Sequence, residues 1–101
     1  MSTLVTSTAR VRVESPARSA RSLVTHFSAS TEAEWDPDHL RGHIVFARGE
    51  GGAPQGTCDL LCGEGVLMLS IEGPAGELED LEDWVEAELG ASPRWARTAG
   101  L

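Results

Sequence analysis

Two pairs of potential metal ligands occur with a four-residue spacing, Cys58 with Cys62 and His39 with His43. Both pairs lie in segments that are predicted below to be extended strands. Residues four apart on a strand are separated by about 13 Å at the usual rise of ~3.3 Å per residue, which is too far for one tetrahedral zinc ion. We therefore expect Cys58 and Cys62 to be buried core thiols rather than ligands.

Three other features could do chemistry. His26 stands near the end of a predicted helix, where a cation complements the helix dipole, and the alternative is a ligand or acid–base role. His43 and Asp59 are expected on one face of adjacent strands, where they could act as general acid and base, although cross-strand charge pairing is the commoner reason for such a pair. The weak candidates for metal binding are His26, His43 and Cys58, and the sequence predicts neither a metal nor a cofactor.

Motifs of the common enzyme classes are missing from the sequence. The glycine-rich residues 49–52 are not flanked by the strand and helix that a nucleotide-binding loop requires. There is no nucleophile elbow and no cysteine at a basic helix start. We therefore expect no catalytic residues and no enzyme activity.

Residues 77–88 form an acidic segment without a single basic residue. Its seven carboxylates are Glu77, Glu79, Asp80, Glu82, Asp83, Glu86 and Glu88. In one interpretation this is a solvated helix face, partly neutralised by Arg18 and Arg21 of the first helix and by Arg10 and Arg12 of the first strand. In the other, residues such as Glu79, Asp83 and Glu86 dock onto the basic surface of a partner protein.

Composition sets further limits. The chain has 101 residues and a formal net charge of -8, with eight Lys and Arg residues together, all of them arginine. This acidic balance argues against binding to nucleic acid or to an anionic membrane. The start has neither the basic nor the apolar part of a secretory signal, so we expect a cytoplasmic protein with reduced cysteines. The lack of lysine, asparagine and tyrosine is typical of a bacterial genome rich in G and C.

Hydrophobic periodicity predicts one α+β domain. The predicted strands are residues 9–14, 34–36, 40–47, 55–62 and 66–72, and the predicted helices are residues 16–29 and 78–89. This order, β-α-β-β-β-β-α, favours a two-layer sandwich, an antiparallel sheet of about five strands with two helices on one face. We expect a flexible leader at residues 1–8, the domain at 9–97 and a C-terminal tail at 98–101, with a flexible loop at 49–54 and an irregular segment at 92–95.

The alternation within the predicted hairpin strands separates a core face from an open face. The residues expected on the core face are Leu40, Ile44, Phe46, Cys58, Leu60, Cys62, Leu67, Leu69 and Ile71. The turn at Glu64 and Gly65 sets the register, so that Leu61 is opposite Met68 and Cys62 is opposite Leu67.

Several segments together resemble a bacterial family, the domain of unknown function DUF2218. They are residues 23–27 (LVTHF), 56–58 (GTC), 66–69 (VLML) and 78–85 (LEDLEDWV). The likeness covers nearly the whole chain after residue 8. Members of this family are small stand-alone proteins or domains appended to siderophore-interacting flavin reductases, so the resemblance implies a link to bacterial iron handling but no activity.

The chain departs from the pattern of this family at two places. The family has a His-aromatic-x-His motif after the first helix, whereas only His26 is present here and Ala29 occupies the second position. The family also ends its last helix with a His-Leu pair, whereas Glu88 precedes Leu89 here. These departures weaken any metal-binding hypothesis that the resemblance suggests.

These observations predict a non-catalytic binding or accessory module that docks onto a partner, such as a basic siderophore-interacting flavoprotein. The alternative is an iron- or siderophore-associated accessory factor that binds its ligand through His26, His43 and Cys58.

The open face of the predicted sheet is expected to be a contact surface. Val45, Leu61, Val66 and Met68 should cluster there, which is more apolar surface than a solvated sheet face usually shows. We expect a weak homodimer through this face. The competing interpretation is that Trp35, Trp95 or the tail folds over the same face within one chain.

Overall fold

A six-stranded antiparallel sheet with two helices on one face forms the structure. The computed structural model describes residues 4–29, 31–46 and 56–99. The elements are β1 (Leu4–Arg12), α1 (Pro16–Ser28), β2 (Glu32–Asp36), β3 (Arg41–Val45), β4 (Thr57–Cys62), β5 (Val66–Pro74), α2 (Leu78–Leu89) and β6 (Ala96–Ala99). The strand order is β2-β3-β4-β5-β1-β6. The predicted α+β sandwich is therefore confirmed, with one strand more than expected.

The covered face of the sheet and the inner sides of both helices form one core. α1 contributes Ala20, Leu23, Val24 and Phe27, and α2 contributes Leu78, Leu81 and Val85. Buried residues of β1, β3, β4 and β5 and the residue after β3 complete it: Val11, Ile44, Phe46, Cys58, Leu60, Leu67, Leu69 and Ile71. Their burial follows the predicted two-residue alternation. It confirms the core-face prediction for Ile44, Phe46, Cys58, Leu60, Leu67, Leu69 and Ile71.

A glycine in β3 sets how closely α1 approaches the sheet. Gly42 is buried, and a Cβ atom at this position would lie 2.8 Å from Cγ2 of Val24. That contact is too short for a real side chain, so the helix can rest on the sheet here only because residue 42 is glycine. The end of α1 packs through aromatic rings, since Phe27 contacts Phe46 edge to face at a centroid distance of 5.2 Å.

Three predictions about the elements are wrong. Leu4–Thr8, predicted to lie in a flexible leader, belong to β1, and Thr98 and Ala99, predicted to be tail, belong to β6. Leu40, predicted on the core face, lies before β3 with a φ of 51° and is 45% exposed. Its backbone completes the turn that follows Asp36, and this turn directs the side chain away from the core.

Some predictions fall outside the described residues. These are the loop at 49–54, the strand positions Ala47 and Gln55, and the outermost positions of the leader and tail, residues 1–3 and 100–101. Among the helices of the described part, none is long and apolar enough to cross a membrane.

Candidate functional site

The open face of the sheet, opposite α1 and α2, carries an apolar strip in its middle. Leu61 of β4 lies opposite Met68 of β5, as predicted, and Val66 precedes Met68 on the same face. We call these three residues the apolar strip. Leu61 is 46% exposed, and Val66 and Met68 are half-buried. An open groove of about 700 Å³ runs over Leu61 and Met68 toward β1 and Ala96, so the centre of this face presents apolar surface to solvent.

Val45 does not join this strip, although the sequence analysis grouped it there. It lies on the same open face, paired with Thr57, whereas the residue of β3 opposite Leu61 is Arg41. Arg41 and Val45 are four positions apart on the strand, or about 13 Å at the usual rise. The interaction surface predicted from the sequence is therefore split between the strip and a single valine near the other end of β3.

Arginines lie on the β1 and β6 side of the apolar strip. Arg10 and Arg94 line the groove, and Arg12 follows Arg10 two positions further along the same face of β1. We call these three residues the arginine group. Within residues 4–29, 31–46 and 56–99 their guanidinium groups make no hydrogen bond or ion pair. The chain has a net charge of -8, so this group of unpaired cations forms a positively charged patch on an otherwise acidic protein.

On the other side of the strip, a polar notch of about 510 Å³ lies between β2, β3 and β4. The side chains of Glu34, Asp36, Arg41, His43 and Asp59 are among those that line it. His43 pairs laterally with Glu34 on one side and with Asp59 on the other. Its Nδ1 atom is 2.5 Å from Oδ1 of Asp59. The cross-strand pair inferred from the sequence is therefore present.

This pair is exposed to water. The side chains of His43 and Asp59 are 45% and 64% exposed. Solvent at such a position screens their interaction and gives the imidazole little of the low-dielectric environment that strengthens acid–base groups in active sites. The arrangement can hold and orient a polar group of a ligand by hydrogen bonding.

A turn at the edge of the notch is organised by Asp36. Its Oδ1 atom accepts hydrogen bonds from the backbone N–H groups of Asp38 and His39, and its Oδ2 atom lies 2.7 Å from Nδ1 of His39. The contact with the His39 ring, together with these backbone groups, lowers the pKa of Asp36. This Asx turn is what places Leu40 in its left-handed conformation before β3 begins.

The three weak candidates for metal binding lie apart. His43 is on the open face, whereas Cys58 of the neighbouring strand is completely buried on the covered face. Burial, and secondarily the charge of Asp59, raises the pKa of the Cys58 thiol to about 12, so it stays protonated near neutral pH. His26 lies in the last turn of α1, with its Nδ1 atom 3.3 Å from Oε2 of Glu88. The structure does not bring these three side chains together.

The acidic helix α2 uses several of its carboxylates within the molecule. Glu82 is buried, where it accepts a 2.6 Å hydrogen bond from the Ser7 hydroxyl and two hydrogen bonds from the Arg97 guanidinium. Glu86 accepts a hydrogen bond from the Trp95 indole at 2.6 Å. Of the residues predicted to dock onto a basic partner, Glu79 and Asp83 are exposed, and Glu86 is half-buried.

Burial raises the pKa of Glu82, but the hydrogen bonds from Arg97 and Ser7 and the positive charge of Arg97 outweigh burial and hold this pKa below its ordinary value. No prediction made from the sequence includes this cluster. Its signal was present, because Glu82 is four residues after Leu78 and three before Val85, on the buried stripe of the helix. A carboxylate at such a position needs a partner.

The partners expected for the acidic helix from β1 are on the wrong side. Ser7, Ala9 and Val11 face the core, so Arg10 and Arg12 point from the opposite face of the sheet. They cannot neutralise α2. Trp35 and Trp95, the two tryptophans of the competing interpretation, do not cover the open face but pack against the core.

Comparisons with known proteins give one family and one fold. A family model described as "Uncharacterized protein conserved in bacteria (DUF2218)" matches residues 8–91. The NMR structure of PA4090 from Pseudomonas aeruginosa is similar to this chain with a TM-score of 0.59 and 25% sequence identity, over 92% of this chain and 94% of that one. A search of curated proteins gave no match.

Proposed function

Because the chain belongs to the bacterial family DUF2218, we propose for it a non-catalytic accessory role, as a module that binds a partner through the open face of its sheet. The observation that carries this proposal is the apolar strip, which lies exposed on a sheet face beside the arginine group. Exposed apolar surface flanked by polar residues is characteristic of association and ligand sites on soluble proteins. A partner that fits this face has an apolar body and a negative charge.

The shape of the face supports a binding role. The groove over Leu61 and Met68 has a volume in the range of small-molecule sites, about 300–1,000 Å³. Its floor is apolar, and Arg10 and Arg94 supply charge-assisted hydrogen-bond donors at its side. The exposure of His43 and Asp59 supports a binding role for the neighbouring notch rather than catalysis.

Metal or siderophore binding through His26, His43 and Cys58 has no comparable support. Such a site would have to draw ligands from a helix end and from both faces of the sheet. We therefore base the proposed function on the open face alone.

A dye with an aromatic body and one sulfonate, 8-anilinonaphthalene-1-sulfonate, tests this proposal. We expect its fluorescence to rise on binding and the amide signals of β4, β5 and β1 to shift during the titration. Leu61→Glu should abolish these changes, because it places a carboxylate in the apolar strip. Leu40→Glu is the matched control, since Leu40 is equally exposed but lies in the turn before β3. Amide shifts confined to α1 or α2, or equal binding by both variants, would contradict the proposal.

A further inference from the structure

The open face carries opposite charges at its two edges. β2, at one edge of the sheet, presents the carboxylates of Glu34 and Asp36 beside the polar notch. The arginine group lies toward the other edge, on β1 and just before β6. The apolar strip lies between them on β4 and β5, the two central strands of the six. This face therefore offers an apolar centre, an acidic side and a basic side.

We infer that the partner of the open face is a second copy of this chain, packed face to face as a twofold-symmetric dimer. This inference rests on the proposed function, since it names the occupant of the same surface. The partner proposed above has apolar surface and a negative charge. The open face has both of these properties itself, in the apolar strip and in the carboxylates on its β2 side. A surface that contains both complementary halves can pair with itself when the symmetry axis exchanges those halves.

One orientation of the axis achieves this exchange. An axis parallel to the strands, between β4 and β5, places Leu61 over the partner's Met68. It also places β2 over the partner's β6. Residues that are paired across the strands of one copy then lie over the same paired row of the partner. Glu34 then faces the partner's Ala96, which follows the partner's Arg94 by two residues in the chain. In the next lateral row, Arg41 faces the partner's Arg10. The acidic edge of each copy lies over the basic edge of the other.

The other in-plane axis, perpendicular to the strands, lays β2 over the partner's β2. That arrangement opposes carboxylates to carboxylates, which like-charge repulsion disfavours. The chosen axis also brings one pair of like charges together, Arg41 and the partner's Arg10, but Arg41 lies opposite Asp36 in the register and has Asp59 close by in the notch. The carboxylates of Glu34, Asp36 and Asp59 leave that side negative.

The size of the face predicts a weak dimer. Six strands spaced ~4.8 Å apart, over about five residues of ~3.3 Å each, cover roughly 500 Å² on each copy. Two such faces bury on the order of 1,000 Å², at the lower limit for a specific interface. Face-to-face packing at ~10 Å is the usual arrangement of two sheets in a sandwich.

Sedimentation velocity of the wild type and of charge-reversed variants tests the dimer. We expect the dimer fraction of the wild type to rise between about 10 μM and 1 mM, as for a complex of this size, and to fall when salt screens the charges. Glu34→Arg and Arg94→Glu should each weaken dimerisation about tenfold, because each opposes like charges across the interface. The double variant should recover most of the loss. Arg18→Glu, on the exposed side of α1, is the control that should leave the dimer unchanged.

Thermal melts followed by circular dichroism show which variants are folded, and only folded variants are compared. A wild type that remains monomeric up to 1 mM, a double variant no better than either single one, or a dimer that persists in Leu61→Glu would each overturn the inference. A monomer that still binds the sulfonate dye leaves the proposed function standing and removes only the second copy as its partner. A monomer that does not bind the dye removes both.

Discussion

The two faces of this sheet are built from the same strands but have different consequences. Leu60 and Leu61 are adjacent in β4, yet Leu60 is 1% exposed under the helices and Leu61 is 46% exposed on the open face. The polar groups differ in the same way, because Glu82 is buried with two partners, whereas His43 and Asp59 pair in water. The covered face therefore determines stability, whereas the open face, which contributes little to the core, is where the proposed binding would take place.

The largest loss of stability should come from truncating Leu60, the buried one of the two neighbouring leucines. Leu60→Ala should lower the free energy of unfolding by about 3 kcal/mol, because it removes buried methyl groups and leaves a cavity. Leu61→Ala should lower it by about 0.5 kcal/mol or less, as expected for a residue that is already half in water. Urea denaturation of dilute protein measures both values. Equal losses would mean that the open face is part of the folding core.

An intermediate loss of stability should follow when the buried carboxylate of Glu82 loses its arginine partner. Arg97→Ala leaves Glu82 with the Ser7 hydroxyl alone, and we expect a loss of about 2 kcal/mol at pH 7, less than for a fully buried pair because Arg97 is partly exposed. Arg18→Ala, at a surface position on α1, is the matched control and should change stability little.

The same variant should also change how stability depends on pH. Since the pKa of Glu82 is lowered in the folded protein, its pairing stabilises above the unfolded value of about 4.3 and is lost as the pH falls through the lower folded value. The stability difference between wild type and Arg97→Ala should therefore narrow below about pH 4. A difference that is constant from pH 7 to pH 3 would show that the charge of Glu82 contributes nothing.

The smallest effect should come from the exposed pair. Asp59→Asn should cost about 0.5 kcal/mol or less, because ion pairs in water contribute little, and salt should reduce even this value. The measurement is again urea denaturation, at low and at high ionic strength. A loss above about 1.5 kcal/mol would place this pair with the buried interactions and remove the contrast between the two faces.

The alternation of side chains was enough to predict most of the sheet. The register of the β4–β5 hairpin and the burial of Leu60, Leu67 and Ile71 follow from period two alone, because a shift by one residue would put the wrong side chains in the core. The same logic assigned the apolar strip to the open face. This alternation predicted the wrong position for Leu40, because the turn geometry at Asp36 outweighs the hydrophobicity of one residue.

The missed features depend on contacts between distant parts of the chain. Nothing in residues 96–99 (ARTA) alternates strongly, and this strand forms because β1 offers a free edge and Arg97 reaches Glu82. The position of Arg94 beside the groove follows from that strand, so the arginine group could not be assembled from local patterns. Arg10 and Arg12 were assigned to the wrong layer because they were paired with the acidic helix by charge alone.

The pairing of β6 with β1 also affects the order in which the sheet can assemble. Val5 lies opposite Ala99, so the first and last described strands become neighbours only after nearly the whole chain has been brought together. Closing so large a loop is entropically expensive, and contacts of such sequence separation slow folding. The β3–β4–β5 meander can form from nearer neighbours, and the edge strand is then added once Ser7 and Glu82 are in place. On this route β6, the last described strand along the chain, would also be the last to join the sheet.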